Sequence, residues 1–174
     1  MRVLIIAENP GFTPSQRRHL IRRLRERLRV ITVRIATRHV EIDVDAEDPP
    51  AAAAYVEQAV GRVLEVAAPE EGGGFIRYVE LFNRERFWEA HGALERIWME
   101  TRDEAVRGLI LLAAAFVKLQ EGLPERFEHM LREALGLLRD VSCIKAEEIK
   151  AKAEKALMDK TPFKIECSTP SPPA

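Results

Sequence analysis

The chain has 174 residues and a mass of 19.8 kDa, enough for one ordinary domain or two small ones and too short for a barrel enzyme or a multidomain machine. With 47% hydrophobic and 32% charged residues it is too apolar for a disordered chain, and no run approaches the roughly 18 apolar residues of a membrane span. The net charge of -1 hides a segregated distribution, since residues 1–40 carry ten Arg against Glu8 and Glu26 (+8) and residues 41–74 carry nine acids against Arg62 (-8).

The opening MRVLIIAENP has one Arg and a short apolar run, less than a signal-peptide core, so export is not expected and the cytoplasm is the expected compartment. Residues 2–7 read as a strand. Asn9, Pro10 and Gly11 supply turn chemistry, and Thr13, Pro14 and Gln16 supply an N-cap, a first-turn proline and a capping-box partner for a helix beginning near Pro14. On that helix Leu20, Ile21, Leu24 and Leu28 share one face, while Arg17, Arg18, Arg22, Arg23, Arg25, Arg27 and Arg29 fill the rest.

Alternation of Ile31, Val33 and Ile35, then of Val40, Ile42 and Val44, predicts a hairpin with one buried face and an outer face where Arg34 meets acidic neighbours. Asp48 and two prolines cap a second helix over 51–61, and 63–66 reads as a last strand. The order strand, helix, strand, strand, helix, strand predicts an α+β protein whose residues 1–68 form a ferredoxin-like βαββαβ sandwich. These strands contain no Phe, Tyr or Trp, which argues against base stacking on the sheet.

Two readings of the charge blocks remain. They lie side by side in one fold, or the Arg-rich helix meets nucleic acid through Arg18, Arg22 and Arg25. The first is favoured because free-standing nucleic-acid binders show an uncompensated basic excess.

Residues 69–74, with one proline, two acids and three glycines, read as a linker, and strand character ends there. Residues 75–160 read as a helical bundle. It has a short helix carrying Phe75, Ile76, Val79 and Phe82, then a second helix N-capped by Asn83 and running to Thr101. Further helices are expected over 104–121, 124–139 and 145–158. The third is apolar on all sides over 108–117 and is expected at the bundle's centre. Residues 161–174, with four prolines, are expected to be disordered. Cys143 and Cys167 lie far apart without CxxC spacing, suggesting neither a disulfide framework nor a zinc knuckle. Two Asn and three Gln amid abundant charge point to a thermophilic source.

Chemistry concentrates in the second helix of the bundle. His91 and Glu95, four residues apart, share a face with Phe87 and Trp98, so polar groups placed among apolar ones must satisfy each other or hold a ligand. They could supply two ligands to a divalent metal, with Glu89, Glu104, Glu128 or His129 as the third, or act as an acid/base pair with Glu89 and Arg107 as neighbours. A purely structural pair is favoured, and Trp88 and Trp98 read as core.

Leu81, Phe82 and Asn83, then Phe87 to His91, Leu94, Glu95 and Trp98, followed by Arg107 to Ile110 and the alanines 113–115, together resemble the family called "domain of unknown function 309". The resemblance covers about residues 75–138. It implies an all-helical bundle of prokaryotic origin, sometimes described as a predicted metal-dependent hydrolase. Where that family commonly has Glu, Gln and His, this chain has Gly92, Leu111 and Lys118, which implies that any metal site of the relatives is lost or remodelled here.

The preferred function is a non-catalytic interaction or adaptor protein, a homo-oligomer or one with a protein partner and with no membrane contact. The alternatives are a small metal-dependent hydrolase using His91 and Glu95, and nucleic-acid binding through the first helix. No cofactor is assigned beyond that candidate divalent metal.

Overall fold

The apolar runs of the first seventy residues form four strands, β1 (Arg2–Glu8), β2 (Arg29–Ile35), β3 (His39–Asp45) and β4 (Val63–Ala67), in a computed structural model that describes residues 1–168. They make one antiparallel sheet in the order β2-β3-β1-β4, with Ile5 opposite Ile42 and Val33 opposite that same Ile42. A single 3-10 turn at Pro14–Gln16 leads into α1 (Arg17–Leu24), and α2 (Pro49–Ala59) follows the Asp48 cap, whose carboxylate accepts the Ala51 amide at 3.0 Å.

Period-2 burial explains the packing. Val3, Ile5, Ala7, Val33, Val40, Ile42 and Val44 join Leu20 and Leu24 of α1 and Ala52, Val56 and Ala59 of α2 in one apolar core. Full burial of such an aliphatic side chain contributes about 1.5–3 kcal/mol. Helix α1 is shorter than its apolar spacing suggests: it ends at Leu24, and Leu28 reaches the core from the following turn.

The hairpin's other face departs from expectation. Rather than facing solvent, Arg34, Glu41 and Asp43 are almost wholly buried, together with Leu4 and Ile6. Arg34 Nε donates to Glu41 Oε2 at 2.5 Å, His39 Nε2 lies 3.3 Å from Glu41 Oε1, and Arg2 holds Asp43 through two hydrogen bonds at 3.0 and 2.6 Å. Alternation marks which residues share a face but carries no record of whether that face is later covered.

Both edge strands carry a bulge. Ile31 is the extra residue on β2 and Leu64 on β4, and both are about half exposed (48% and 50%).

The chain divides into two compact units, one of Met1–Pro69 with Gln120–Gly122, the other of Glu70–Leu119 with the residues from Leu123 onward. The second unit consists of α3 (Gly74–Asn83), α4 (Phe87–Thr101), α5 (Glu104–Gln120), α6 (Pro124–Leu137) and α7 (Ala146–Asp159). As its composition predicts, α5 is the most deeply buried, with Leu109, Leu112, Ala113, Ala115 and Phe116 at 0–1% exposure. Gly108 lets α5 approach the end of α6, since a Cβ there would stand 3.1 Å from Leu137 Cβ. No helix among the described residues is long and apolar enough to cross a membrane.

Three expectations for this unit are corrected. Asn83 does not cap α4. It ends α3, and its amide accepts the Ile165 N–H at 2.7 Å and donates to the Ile165 carbonyl at 2.8 Å, while Arg86 occupies the N-cap position. Residues 161–168 are not loose: Phe163 packs on Phe82 and Phe116, and Ile165 is 3% exposed. Cys143 and Cys167 form a disulfide, because α7 folds back and brings its two flanks together, and Ser168 N donates to Cys143 O at 2.9 Å. Residues 169–174, the remainder of the expected tail, lie outside the described residues.

Candidate functional site

Helix α4 begins where Arg86, in non-helical geometry, precedes Phe87, and its buried face is Phe87, Ala90, Ala93 and Leu94 with Glu89 among them. The four-residue spacing brings His91 and Glu95 together, with Nε2 2.8 Å from Oε1. His91 Nδ1 lies 3.2 Å from the Trp88 carbonyl oxygen. Both ring nitrogens therefore face oxygens of their own helix.

The pair is not buried among apolar groups as expected. The His91 and Glu95 side chains are 27% and 52% exposed, because their arc of the helix borders the buried stripe instead of forming it. Trp88 and Trp98 pack against the core while staying partly exposed, and the Arg102 guanidinium lies over the Trp98 ring at 5.2 Å.

The other candidate residues are elsewhere. Glu89, two residues from His91, points into the interior at 1% exposure, where Oε1 accepts from Arg86 Nε at 2.6 Å and Oε2 accepts from the Glu70 amide at 3.1 Å. Arg107 pairs with Glu104 and Glu133, each at 3.3 Å. Glu128 meets Lys160 at 3.2 Å, and His129 lines a pocket of about 400 Å³ with Lys118, Glu125, Arg126 and Met130.

Among the described residues no three His, Cys, Asp or Glu side chains are grouped to hold a metal ion. His91 and Glu95 thus offer two positions, one of them spent on the other, where a zinc-type site takes at least three protein ligands. By itself this donor set falls short of a zinc-type site. At Gly92 a Cβ would meet nothing nearer than the Glu70 carbonyl oxygen at 3.9 Å, so the position has room for a side chain it does not have.

Two buried polar networks lie outside the His91 helix face, and only the pairing of Arg34 with acidic neighbours is anticipated by the sequence. One is Arg86, Glu89 and the Glu70 backbone, extended by Arg77, which grips Glu70 with hydrogen bonds of 2.5 and 2.6 Å and Glu80 at 2.9 Å. Hydrogen bonding from Arg77 holds the Glu70 carboxyl below the usual carboxylate range, and the same contacts raise the Arg77 guanidinium. The signal available was the Arg86–Glu89 spacing of three. The other is Arg34 with Glu41 and His39. There burial pushes the Glu41 carboxyl up, but Arg34 and His39 outweigh it and hold it below the usual range.

Neither a curated protein nor a solved structure matches the chain. Residues 75–130, from the first turn of α3 to the middle of α6, match the family described as Domain of unknown function (DUF309), so the resemblance carried by the His91 and Glu95 helix is shown for that segment.

Proposed function

We propose that this protein is a non-catalytic interaction protein in which His91 and Glu95 are a structural pair on a helical bundle. The observation that carries the reading is the engagement of both His91 ring nitrogens within α4, at 2.8 Å to Glu95 and 3.2 Å to the Trp88 carbonyl. A general base or a metal ligand needs a nitrogen aimed at its target, and both nitrogens of this ring are aimed at oxygens of their own helix. Glu89, the nearest further carboxylate on the helix, is spent on Arg86 and the Glu70 amide.

Elemental analysis of protein purified without a metal-affinity tag, repeated on His91→Ala, tests this. The expected result is no stoichiometric divalent metal in either protein. Stoichiometric metal that the substitution abolishes would replace this reading with the metal-dependent hydrolase.

The strand order with two helices on one face supports a ferredoxin-like first unit. Ile76 and Met99, 66% and 62% exposed on the helical unit, support self-association, and light scattering that shows a monomer at every concentration would remove that part. A cytoplasmic, thermophilic protein accommodates the Cys143–Cys167 bridge, since intracellular disulfides are a property of hyperthermophile proteins. A thermal midpoint in the mesophile range of about 45–65 °C would remove the thermophile part.

A further inference from the structure

The charge balance of the first unit conceals an unequal sharing of partners. Most of its carboxylates are committed: Asp43 to Arg2, Asp45 and Glu47 to Arg29, Glu41 to Arg34, and Glu8 to Arg62. Asp48 caps α2, and Glu57 accepts the Val63 amide at 3.3 Å. Arg18, Arg22, Arg23 and Arg25 lie on or just after α1, and all four are exposed. Among the described residues none of the four has a carboxylate partner, and Arg25 spends one N–H on the Val30 carbonyl at 3.2 Å. Glu26 is the one carboxylate between Glu8 and Glu41 in the sequence.

Helical geometry gathers this charge. Leu20 and Leu24 are fully buried and fix the rotation of α1, which places Arg18, Arg22 and Arg25 within an arc of about 60° on the solvent side. Arg17, about 80° outside that arc on the side toward the core, is anchored through Val33 O at 2.6 Å and Thr32 Oγ1 at 3.0 Å. Its guanidinium is lowered by burial first, and the like charges of Arg34, Arg25 and Arg18 add to the effect while Glu121 pulls the other way.

We infer that the exposed face of α1, centred on Arg18, Arg22 and Arg25, docks the phosphate backbone of a nucleic acid without reading its sequence. This deepens the interaction reading above and rests on it. A second copy of this unit is a poorer occupant, because the acidic block it would offer is already engaged. A lipid surface is poorer as well. Helices that lie on membranes insert an apolar face, and the apolar stripe of α1 is closed inside the core. Arginine suits the phosphodiester oxyanion through its planar, paired donors, and contacts of this kind position a protein on a strand without specifying bases.

The test is fluorescence anisotropy of the full chain with a short labelled mixed-sequence RNA and with a DNA duplex, from about 50 to about 200 mM salt. Three arginine contacts predict that the logarithm of affinity falls against the logarithm of salt with a slope of about -2 to -3. Arg18→Glu with Arg22→Glu and Arg25→Glu should lower affinity at least about tenfold and flatten that slope, with unchanged circular dichroism and thermal midpoint. A control reversal of equal charge at Lys150, Lys152 and Lys155 of α7 should leave both unaltered. Three results overturn the inference: no binding to either nucleic acid at the lowest salt; equal loss in both variants; or binding confined to vesicles of phosphatidylserine and phosphatidylcholine, or to a second copy by light scattering. Metal content is untouched by these variants, so failure here and failure of the non-catalytic reading are separate results.

Discussion

Arg34 and Glu41 meet across β2 and β3 with Nε 2.5 Å from Oε2, on the face of the sheet opposite α1 and α2, at 1% and 0% exposure. A buried pair of this kind adds little over a well-packed apolar pair, but breaking it strands a charge.

Glu41→Gln should therefore destabilise the protein by about 3–5 kcal/mol at neutral pH, and Arg34→Met with Glu41→Leu should recover much of that loss. Urea unfolding measures both. A single variant that unfolds like the wild type would show the charge to be solvated in the native state.

The pH dependence has a definite sign. The Glu41 and Glu70 carboxyls are lowered in the folded protein from the ordinary value of 4.5, Glu41 because Arg34 and His39 outweigh burial and Glu70 through hydrogen bonding to Arg77. Each contributes stability that is complete above the unfolded value and is lost as pH falls through the lower folded one. The difference between wild type and Glu41→Gln should stay constant from pH 7 to pH 5 and shrink toward pH 3. A difference that shrinks already between pH 7 and pH 5 contradicts this assignment.

On α4, two carboxylates six residues apart should behave oppositely. Glu95→Gln removes an exposed partner of His91 and should cost no more than about 0.5 kcal/mol. Glu89→Gln opens the buried pair with Arg86 and should cost about 3–5 kcal/mol. Thermal denaturation of the two variants side by side decides it, and equal losses would mean that the exposed His91–Glu95 pair contributes as much as the buried Arg86–Glu89 pair.

The Cys143–Cys167 bridge closes a segment that contains all of α7. Replacing both cysteines with serine should lower stability by about 3 kcal/mol through the freed chain entropy of the unfolded state. Amide exchange at Ile165, whose N–H is held by Asn83, should rise in the same variant. Unchanged exchange at Ile165 would show that Asn83 and Phe163 hold the segment without help.

Phe116 touches Phe82, Phe87, Phe127 and Phe163 with ring centroids 4.9–5.8 Å apart. Phe116→Ala should cost about 3–5 kcal/mol, while Phe75→Ala, at the partly exposed margin of the same cluster, should cost less. Near-ultraviolet circular dichroism and denaturant midpoints would show the contrast.

Much of this fold is legible in the sequence because its signals are local. Alternation marks β2 and β3, the Asp48 and double-proline signature marks α2, and the four-residue spacing of His91 and Glu95 alone brings that pair together. What escaped depends on partners distant in the chain. Asn83 looks like a helix cap because a cap is what a local reading assigns to it, yet it is used by Ile165, 82 residues away. The cysteines are paired by the return of α7, which no spacing rule encodes. Arg107 and His91 sit on adjacent helices in the sequence, but side chains on α5 and α4 choose partners by rotation about the helix axis, and Arg107 turns to Glu104 and Glu133. Glu89 was grouped with His91 by proximity in sequence, although two residues along a helix is about 200° around it.

The extra residues Ile31 and Leu64 bear on how the first unit can assemble. A strand laid straight along either outer edge of the sheet would fall out of step with its hydrogen-bond ladder after a few residues, because each border carries one residue too many. Both borders are thus blunted against growth, which disfavours fibre-like stacking and strand donation and leaves side chains as the readier route of association.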